Sequence, residues 1–454
     1  MKFTGCLWVL GMGLCLAAGA EGFQAGFART DLTPAVGAQM PGGYNEHLSK
    51  GVRDPLFAEA AVFTSGETTV AVVGVDLIMI PRAVVLEARR LAEERCGVPG
   101  ANILIGASHT HTGGPIVDCF GSTSDPAYSR FAAERIAEAV CLAHAARVEA
   151  RLATASGEAR GVAFNRRFFM KDGSVITHPG KMNPDIVKPA GPVDAEVGLI
   201  AAEDLEGNLL GCVVNHGMHG TTIGGSEFSA DWPYFLRKTV RGGVGADIGV
   251  VFLNGACGDV TQVNNQSPES NFGEKSARLI GMTVGGEVLK LLAGAEFTPD
   301  ATVAAVAEEA ALPIRDLGES DEALVDREAP PFGLGSGSRE MYLREANMVR
   351  AMREASPVVT EEIQALRVGN AAIVSNPTEF FSALGLAIKA EQPWKPVMVT
   401  ELANGYAGYA PTREAYDQGG YEPRTARSSF MAPGAGEQIV ELSRRLLAAL
   451  EEGE

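Results

Sequence analysis

Apolar runs without polar interruption recur along the chain, and several are followed by a longer stretch in which apolar residues return every third or fourth position. The first is TTVAVVGVDLIMI (68–80), which predicts a buried strand; PRAVVLEARRLAEERCG (81–97) follows, with Pro81 placed for a helix start. ANILIGAS (101–108) predicts the next strand and SRFAAERIAEAVCLAHAARV (129–148) a helix. LGCVVNH (210–216), IGVVFLNG (248–255), NAAIVSNP (370–377) and PVMVTELAN (396–404) are further strands, while 275–294 and 436–452 carry helical spacing. Val and Ile runs that do not alternate with polar residues need both faces of their sheet covered. The expected class is therefore α/β: layered, mostly buried β-sheets flanked by helices, in one large catalytic domain. EAPPFGLGSGS (328–338) breaks the pattern with crowded Pro and Gly. It marks an insertion-like loop, about 315–345, that leaves the domain undivided because candidate site residues lie on both sides of it.

Composition narrows the function. The 454 residues are 46% hydrophobic, enough for a large core. Against 56 Asp and Glu stand 38 Lys and Arg, a net charge of -18. Nucleic-acid binding is disfavoured, because neutralising phosphates needs clustered basic residues. MKFTGCLWVLGMGLCLAAGA (1–20) has one Lys, an apolar centre and an Ala-Gly-Ala end, the form of a signal peptide, so residues 21–454 are expected to be secreted or periplasmic. No other stretch is long and apolar enough for a membrane span. Beyond it lie Cys96, Cys119, Cys141, Cys212 and Cys257, an odd number without a CxxC pair. One bridge and a set of buried thiols fit that spacing equally well.

The strand ends carry the chemistry. ILIGAS leads to His109 and His111, GCVVN to His216 and His219, and VVFLNGACG to Asp259 and Thr261. AIVSNPT leads to Glu379, and VMVTELANG to Tyr406 and Tyr409. In layered α/β folds the carboxyl ends of strands open onto the ligand crevice. In an extended segment His109 and His111 would share a face, as two ligands of a zinc site completed by another imidazole and a carboxylate. Two hydrogen-bonded histidines at a strand end are the plainer alternative. In NHGMHGTT, His219 has more freedom to reach a partner and His216 is better placed to support the turn. Asp231 in SADWP either orients a ligand imidazole or caps the next helix.

GFARTDLTP, GASHTHTGG, FNRR, HGTT followed by SADWP, NGACGDVTQ, NPTEF and NGYAGYAPTREAY...GGYE occur in that order. Together they resemble the catalytic domain of the neutral/alkaline non-lysosomal ceramidase family, over about residues 24 to 425. The chain ends just after its last helix, without room for the immunoglobulin-like C-terminal domain of the well-known ceramidases. NPTEF stands where that family has P-G-E-F, HTHTGG where it has H-T-H-S-G-P, and Thr261 where it has Ser followed by Pro. The motifs therefore bear on the metal site more directly than on the substrate.

The resemblance implies a Zn2+ amidase with metal ligands His109, His219, Glu379 and Tyr409. It also implies that His111 carries protons between water and leaving amine, Arg166 partners an oxyanion, and Thr261, in the Gly-Asp-Val motif with Asp259, holds substrate or attacking water. The implied reaction is hydrolysis of the amide bond of an N-acyl lipid such as ceramide to fatty acid and sphingoid base. Two other readings stand beside it. The same site acts on a different amide, ester or glycan-derived substrate, or the chain is a non-catalytic secreted binding protein. The presence of all the ligands together weighs against the last.

Overall fold

The computed structural model describes residues 22–328 and 337–452. The expected signal peptide and residues 329–336 of the Pro/Gly-crowded stretch lie outside the described residues.

Three strand–helix–strand units organise the architecture. Thr68–Val75 and Ile103–Ala107 pair in parallel across helix Arg82–Cys96, and Leu209–His216 and Gly249–Asn254 do so across Trp232–Val244. Ala371–Ser375 and Val397–Thr400 form the third pair across Ser382–Lys389. The first two units are the two edges of an eight-stranded sheet, linked by antiparallel strands Gln24–Asp31, Phe57–Ser65, Val148–Glu158 and Glu196–Asp204. The third unit is the edge of a four-stranded sheet with Val303–Pro313 and Val358–Val368.

Successive residues of these strands enter different cores. Val72, Leu104, Val213, Val251 and Ile373 meet in a central cluster between the sheets. Their neighbours Val73 and Ile105 pack under helices Arg82–Cys96 and Pro126–Ala145. Val214 and Phe252 pack under Trp232–Val244 and Glu274–Ala293, and Val374 under Ala435–Glu452. Burial on both faces explains why the apolar runs do not alternate. The expected layered α/β class is the observed one.

Two expectations are corrected. The run 68–80 is not one strand: it ends at Val75, because Asp76 turns the chain by exchanging hydrogen bonds with the Phe57 backbone and pairing with Arg237 at 2.8 Å. The freed segment supplies the carbonyls that hold His109. Around 315–345, two helices replace much of the expected loop. Ser320 caps Asp321–Arg327 and Ser338 caps Arg339–Ala355, each accepting from a first-turn N–H, and Leu324, Met341 and Tyr342 are buried.

The antiparallel linkers left no comparable mark in the sequence. Val303–Pro313 reads VAAVAEEAALP, an Ala/Glu-rich composition that favours helix, yet it pairs along its whole length with Val358–Val368. Tertiary pairing overrides local propensity there.

Candidate metal centre

The carboxyl ends of the three parallel pairs converge. Just beyond Ala107 the backbone leaves the strand, and His109 has φ 64, a left-handed conformation rare for a residue with a side chain. The premise of an extended HTH segment is thereby corrected: a turn, not strand alternation, brings His109 and His111 to one place. The turn is held by His109 N on Leu77 O at 3.0 Å and by His111 N on Gly220 O at 3.0 Å. A side chain at Gly220 would meet the His109 carbonyl at 2.6 Å, so glycine is needed where the two histidine loops touch. Thr110 points away, donating to Ser229 O at 2.6 Å.

All three imidazoles are oriented by main-chain carbonyls. His109 Nδ1 lies 2.7 Å from Ile78 O, His111 Nδ1 3.1 Å from Gly42 O, and His219 Nδ1 2.8 Å from Cys257 O. A carbonyl only accepts, so each Nδ1 carries the hydrogen and each Nε2 faces inward. The ligand atoms of these three residues lie within 4.8 Å of one another, a group that can hold a metal ion. The backs of metal-bound histidines are characteristically braced in this way.

Glu379 enters from the third pair. In a two-residue parallel ladder it is the register partner of Tyr409, which sets their side chains on one face. Its Oε2 is 3.3 Å from His109 Nε2 and 3.5 Å from His219 Nε2, and it is a buried atom with no hydrogen bond of good geometry. A buried carboxylate oxygen without a partner is costly. Between imidazole nitrogens, it fits a cation.

The electrostatics follow from burial opposed by this carboxylate. Burial pulls His109 down, but the Glu379 charge outweighs it and leaves His109 above its ordinary value. His111 is drawn down to about 3 by burial and by the His109 charge. His219 falls well below its usual range through burial, Arg166 and His109. Burial pushes Glu379 up, yet His109 and His219 together hold it well below the ordinary carboxylate range. Tyr409 is raised well above its usual range by burial and by Glu379.

Arg166 closes one wall. Its Nε donates to Glu422 at 2.7 Å, one Nη1 hydrogen points to His219 Nε2 at 3.2 Å, and Nη2 donates to Gly258 O at 2.7 Å and Tyr409 Oη at 3.0 Å. Of five N–H groups, those contacts engage four and leave a second Nη1 hydrogen. Glu422 also accepts from Arg167 at 3.0 Å and Thr177 at 2.8 Å, so the guanidinium is firmly placed.

Of the residues singled out in the sequence, His109, His111, His219, Glu379, Tyr409 and Arg166 come together. Asp259 and Thr261 lie alongside with their polar atoms engaged elsewhere. Asp259 accepts from Ser382 N at 2.8 Å and Asn165 Nδ2 at 2.6 Å, which ties the third pair to the segment bearing Arg166. Thr261 Oγ1 accepts from Val263 N at 3.1 Å. His216 turns its Nδ1 to Glu196 O at 2.9 Å and packs edge-on against Trp232. Asp231 caps helix Trp232–Val244, accepting from Trp232 N at 2.6 Å and Ile223 N at 2.7 Å.

Sequence reasoning missed three neighbours. Tyr421 packs edge-on against Tyr409 with ring centres 5.7 Å apart, beneath the Arg166 guanidinium, and Glu422 anchors that guanidinium. Glu401 lies behind the histidines, accepting from Cys257 N at 2.8 Å and Phe380 N at 2.9 Å, and burial pushes it up to about 7. The GGYE and VTEL stretches contained these residues, but their contacts run between segments far apart in the chain.

No family model matches the sequence, and no curated protein matches it. Solved structures do. The neutral ceramidase of Pseudomonas aeruginosa is similar over 95% of this chain and 75% of its own, with a TM-score of 0.71 and 20% identity. A ceramidase complexed with C2 is similar over the same shares, with a TM-score of 0.72 and 19% identity. The chain that assembles this histidine and carboxylate cluster thus has the fold of a neutral ceramidase.

Proposed function

We propose that this protein is a divergent member of the ceramidase family: a zinc-dependent amidohydrolase, exported from the cell, that cleaves the amide bond of N-acyl lipids such as ceramide. The observation that carries the reading is the buried Glu379 Oε2 set between His109 Nε2 and His219 Nε2 with no hydrogen bond of good geometry, in a fold shared with neutral ceramidase. His109, His219, Glu379 and Tyr409 form the metal-holding set, and nitrogen and oxygen donors suit zinc. When bound, zinc supplies Lewis acidity and makes hydroxide accessible at neutral pH.

The chain's own groups do the rest. His111, whose Nε2 is 3.4 Å from His109 Nε2, is neutral at physiological pH. It accepts the water proton on Nε2 and returns it to the leaving amine, which departs only when protonated. The remaining Nη1 hydrogen of Arg166 points a charged donor at the oxygen where negative charge develops, a contribution of roughly 3–4 kcal/mol for a well-placed donor. Asp259 and Thr261 position the wall on which Arg166 stands.

The test combines metal analysis with hydrolysis of a labelled ceramide with and without chelator. About one zinc per chain and chelator-sensitive release of fatty acid are expected. His111→Ala should retain zinc and lose turnover. A protein that takes up no zinc refutes the enzyme reading, and zinc-dependent cleavage of other amides or esters with none of ceramide moves the substrate class.

A further inference from the structure

Two cysteines outside the metal centre sit unusually close. Cys96 ends helix Arg82–Cys96, and Cys141 lies in the last turn and a half of Pro126–Ala145. Their sulfur atoms are 2.6 Å apart, with Cys96 Sγ also 3.1 Å from Ala92 O. That separation is well inside the roughly 3.5–4.0 Å at which uncharged heavy atoms touch and near the ~2.05 Å of a sulfur–sulfur bond. Both residues are partly exposed, so a small reagent reaches them, whereas Cys212 and Cys257 are buried. The two helices pack through Val85, Ala88 and Ala92 against Ile136, Ala137 and Val140 in one core cluster, which fixes the sulfurs relative to each other.

The 45 positions from Cys96 to Cys141 include strand Ile103–Ala107 and the turn bearing His109 and His111. We propose that Cys96 and Cys141 are an oxidation site that closes to a disulfide by exchange with a low-molecular-weight disulfide such as oxidised glutathione, tying together the ends of the segment that carries the histidine pair. One cysteine thiolate attacks a sulfur of the small disulfide and expels one thiolate, leaving a mixed disulfide. The other cysteine thiolate then attacks the protein sulfur of that mixed disulfide and expels the second thiolate. The two protons lost by the cysteines end on the two released small thiols, so the protein is oxidised by two electrons and the reagent reduced by two. The bridge restricts the unfolded chain more than the folded one, which already holds the sulfurs together.

The test uses the full-length protein, incubated with oxidised glutathione under mildly alkaline conditions, which favour thiol–disulfide exchange, then unfolded with an alkylating agent and digested. The Cys96 and Cys141 peptides should be recovered joined, lighter than their sum by two hydrogens, and separated by reductant. Reduction should lower Tm by about 4 °C, the shift expected for a loop of this length in a domain of this size. Cys96→Ser, Cys141→Ser and the double variant should each show that lower Tm, with no further change on reduction. Recovery of both cysteines as alkylated thiols, glutathione on either without a link between them, or a link from either to Cys119 overturns the proposal. Peptide mapping of the unmodified sequence decides it even where a serine variant fails to fold.

Discussion

Replacing Glu379 by Gln tests the metal centre most directly, because one oxygen faces two imidazole nitrogens. At 3.3 Å and an effective dielectric of ~20, opposite unit charges on Glu379 and His109 attract by about 5 kcal/mol. That attraction reverses the burial penalty at His109, while His111, without an ion-pair contact to the carboxylate, is drawn down to about 3. In the metal-free protein the cluster therefore carries its proton on His109 below that residue's raised value. A cation must displace it, so metal affinity should rise about tenfold per pH unit up to the raised value of His109. In Glu379→Gln the carboxylate that chiefly raises His109 is gone, so the pH slope of the affinity should weaken and shift to lower pH. Its value at about pH 8 should also fall at least ~100-fold, or about 2.7 kcal/mol, because an anionic ligand is missing. Competition titrations of zinc against a chromophoric chelator at roughly pH 6, 7 and 8 measure both effects. Calorimetry in buffers of different ionisation enthalpy counts the protons: about one released if Tyr409 stays protonated, about two if it binds as phenolate. A Glu379→Gln protein that binds zinc as tightly as the parent at about pH 8, with the same slope, would refute the assignment of Glu379 as a ligand.

Three further outcomes are expected. Asp76→Ala leaves the buried Arg237 guanidinium without the carboxylate that accepts from its Nη1 at 2.8 Å and Nη2 at 2.9 Å, so urea unfolding should show a loss of about 3–5 kcal/mol; a loss under about 1 kcal/mol would mean that Glu59, 3.3 Å from Arg237 Nε, suffices alone. Glu361 is pushed up to about 7 by burial, with Arg82 opposing, and its Oε2 has no partner. A raised carboxyl binds more protons folded than unfolded, so stability is full below about 4.5 and declines as pH rises to about 7, by at most about 3 kcal/mol. Glu361→Gln should flatten that decline in thermal scans across the window, and an unchanged pH profile would contradict it. Arg166→Lys keeps the charge beside Glu422 but removes the fork that reaches His219, Gly258 and Tyr409 together; turnover of an N-acyl substrate should fall about 10²–10³-fold with zinc content retained, and parental turnover would exclude the oxyanion role.

Much of the site was legible because its residues follow the strands most easily read. The apolar runs at 103–107, 209–216, 371–375 and 397–400 are among the parallel-paired strands; His109, His219 and Glu379 lie two to four residues past the ends of the first three, and Tyr409 nine residues past the last. The runs are largely apolar because both faces are covered, and parallel pairing puts the carboxyl ends of each pair on the same side. The strands linking them were not legible. Val303–Pro313 carries charged and alanine positions that a helix would also accept, and only its pairing with Val358–Val368 makes it a strand.

The sequence by itself determined the α/β class, the loops that bear the candidate site and most of the residue types that meet there, because these are written in local apolar patterning and short motifs. Tertiary structure decided which atoms meet. The left-handed turn at His109, the carbonyls of Ile78, Gly42 and Cys257 that aim three imidazoles inward, and Glu422 beneath Arg166 all join segments distant in the chain. So does the allocation of Asp259 to Ser382 and Asn165. Hydrogen-bond direction and burial depend on what the remote chain places opposite a side chain, and no local pattern encodes that.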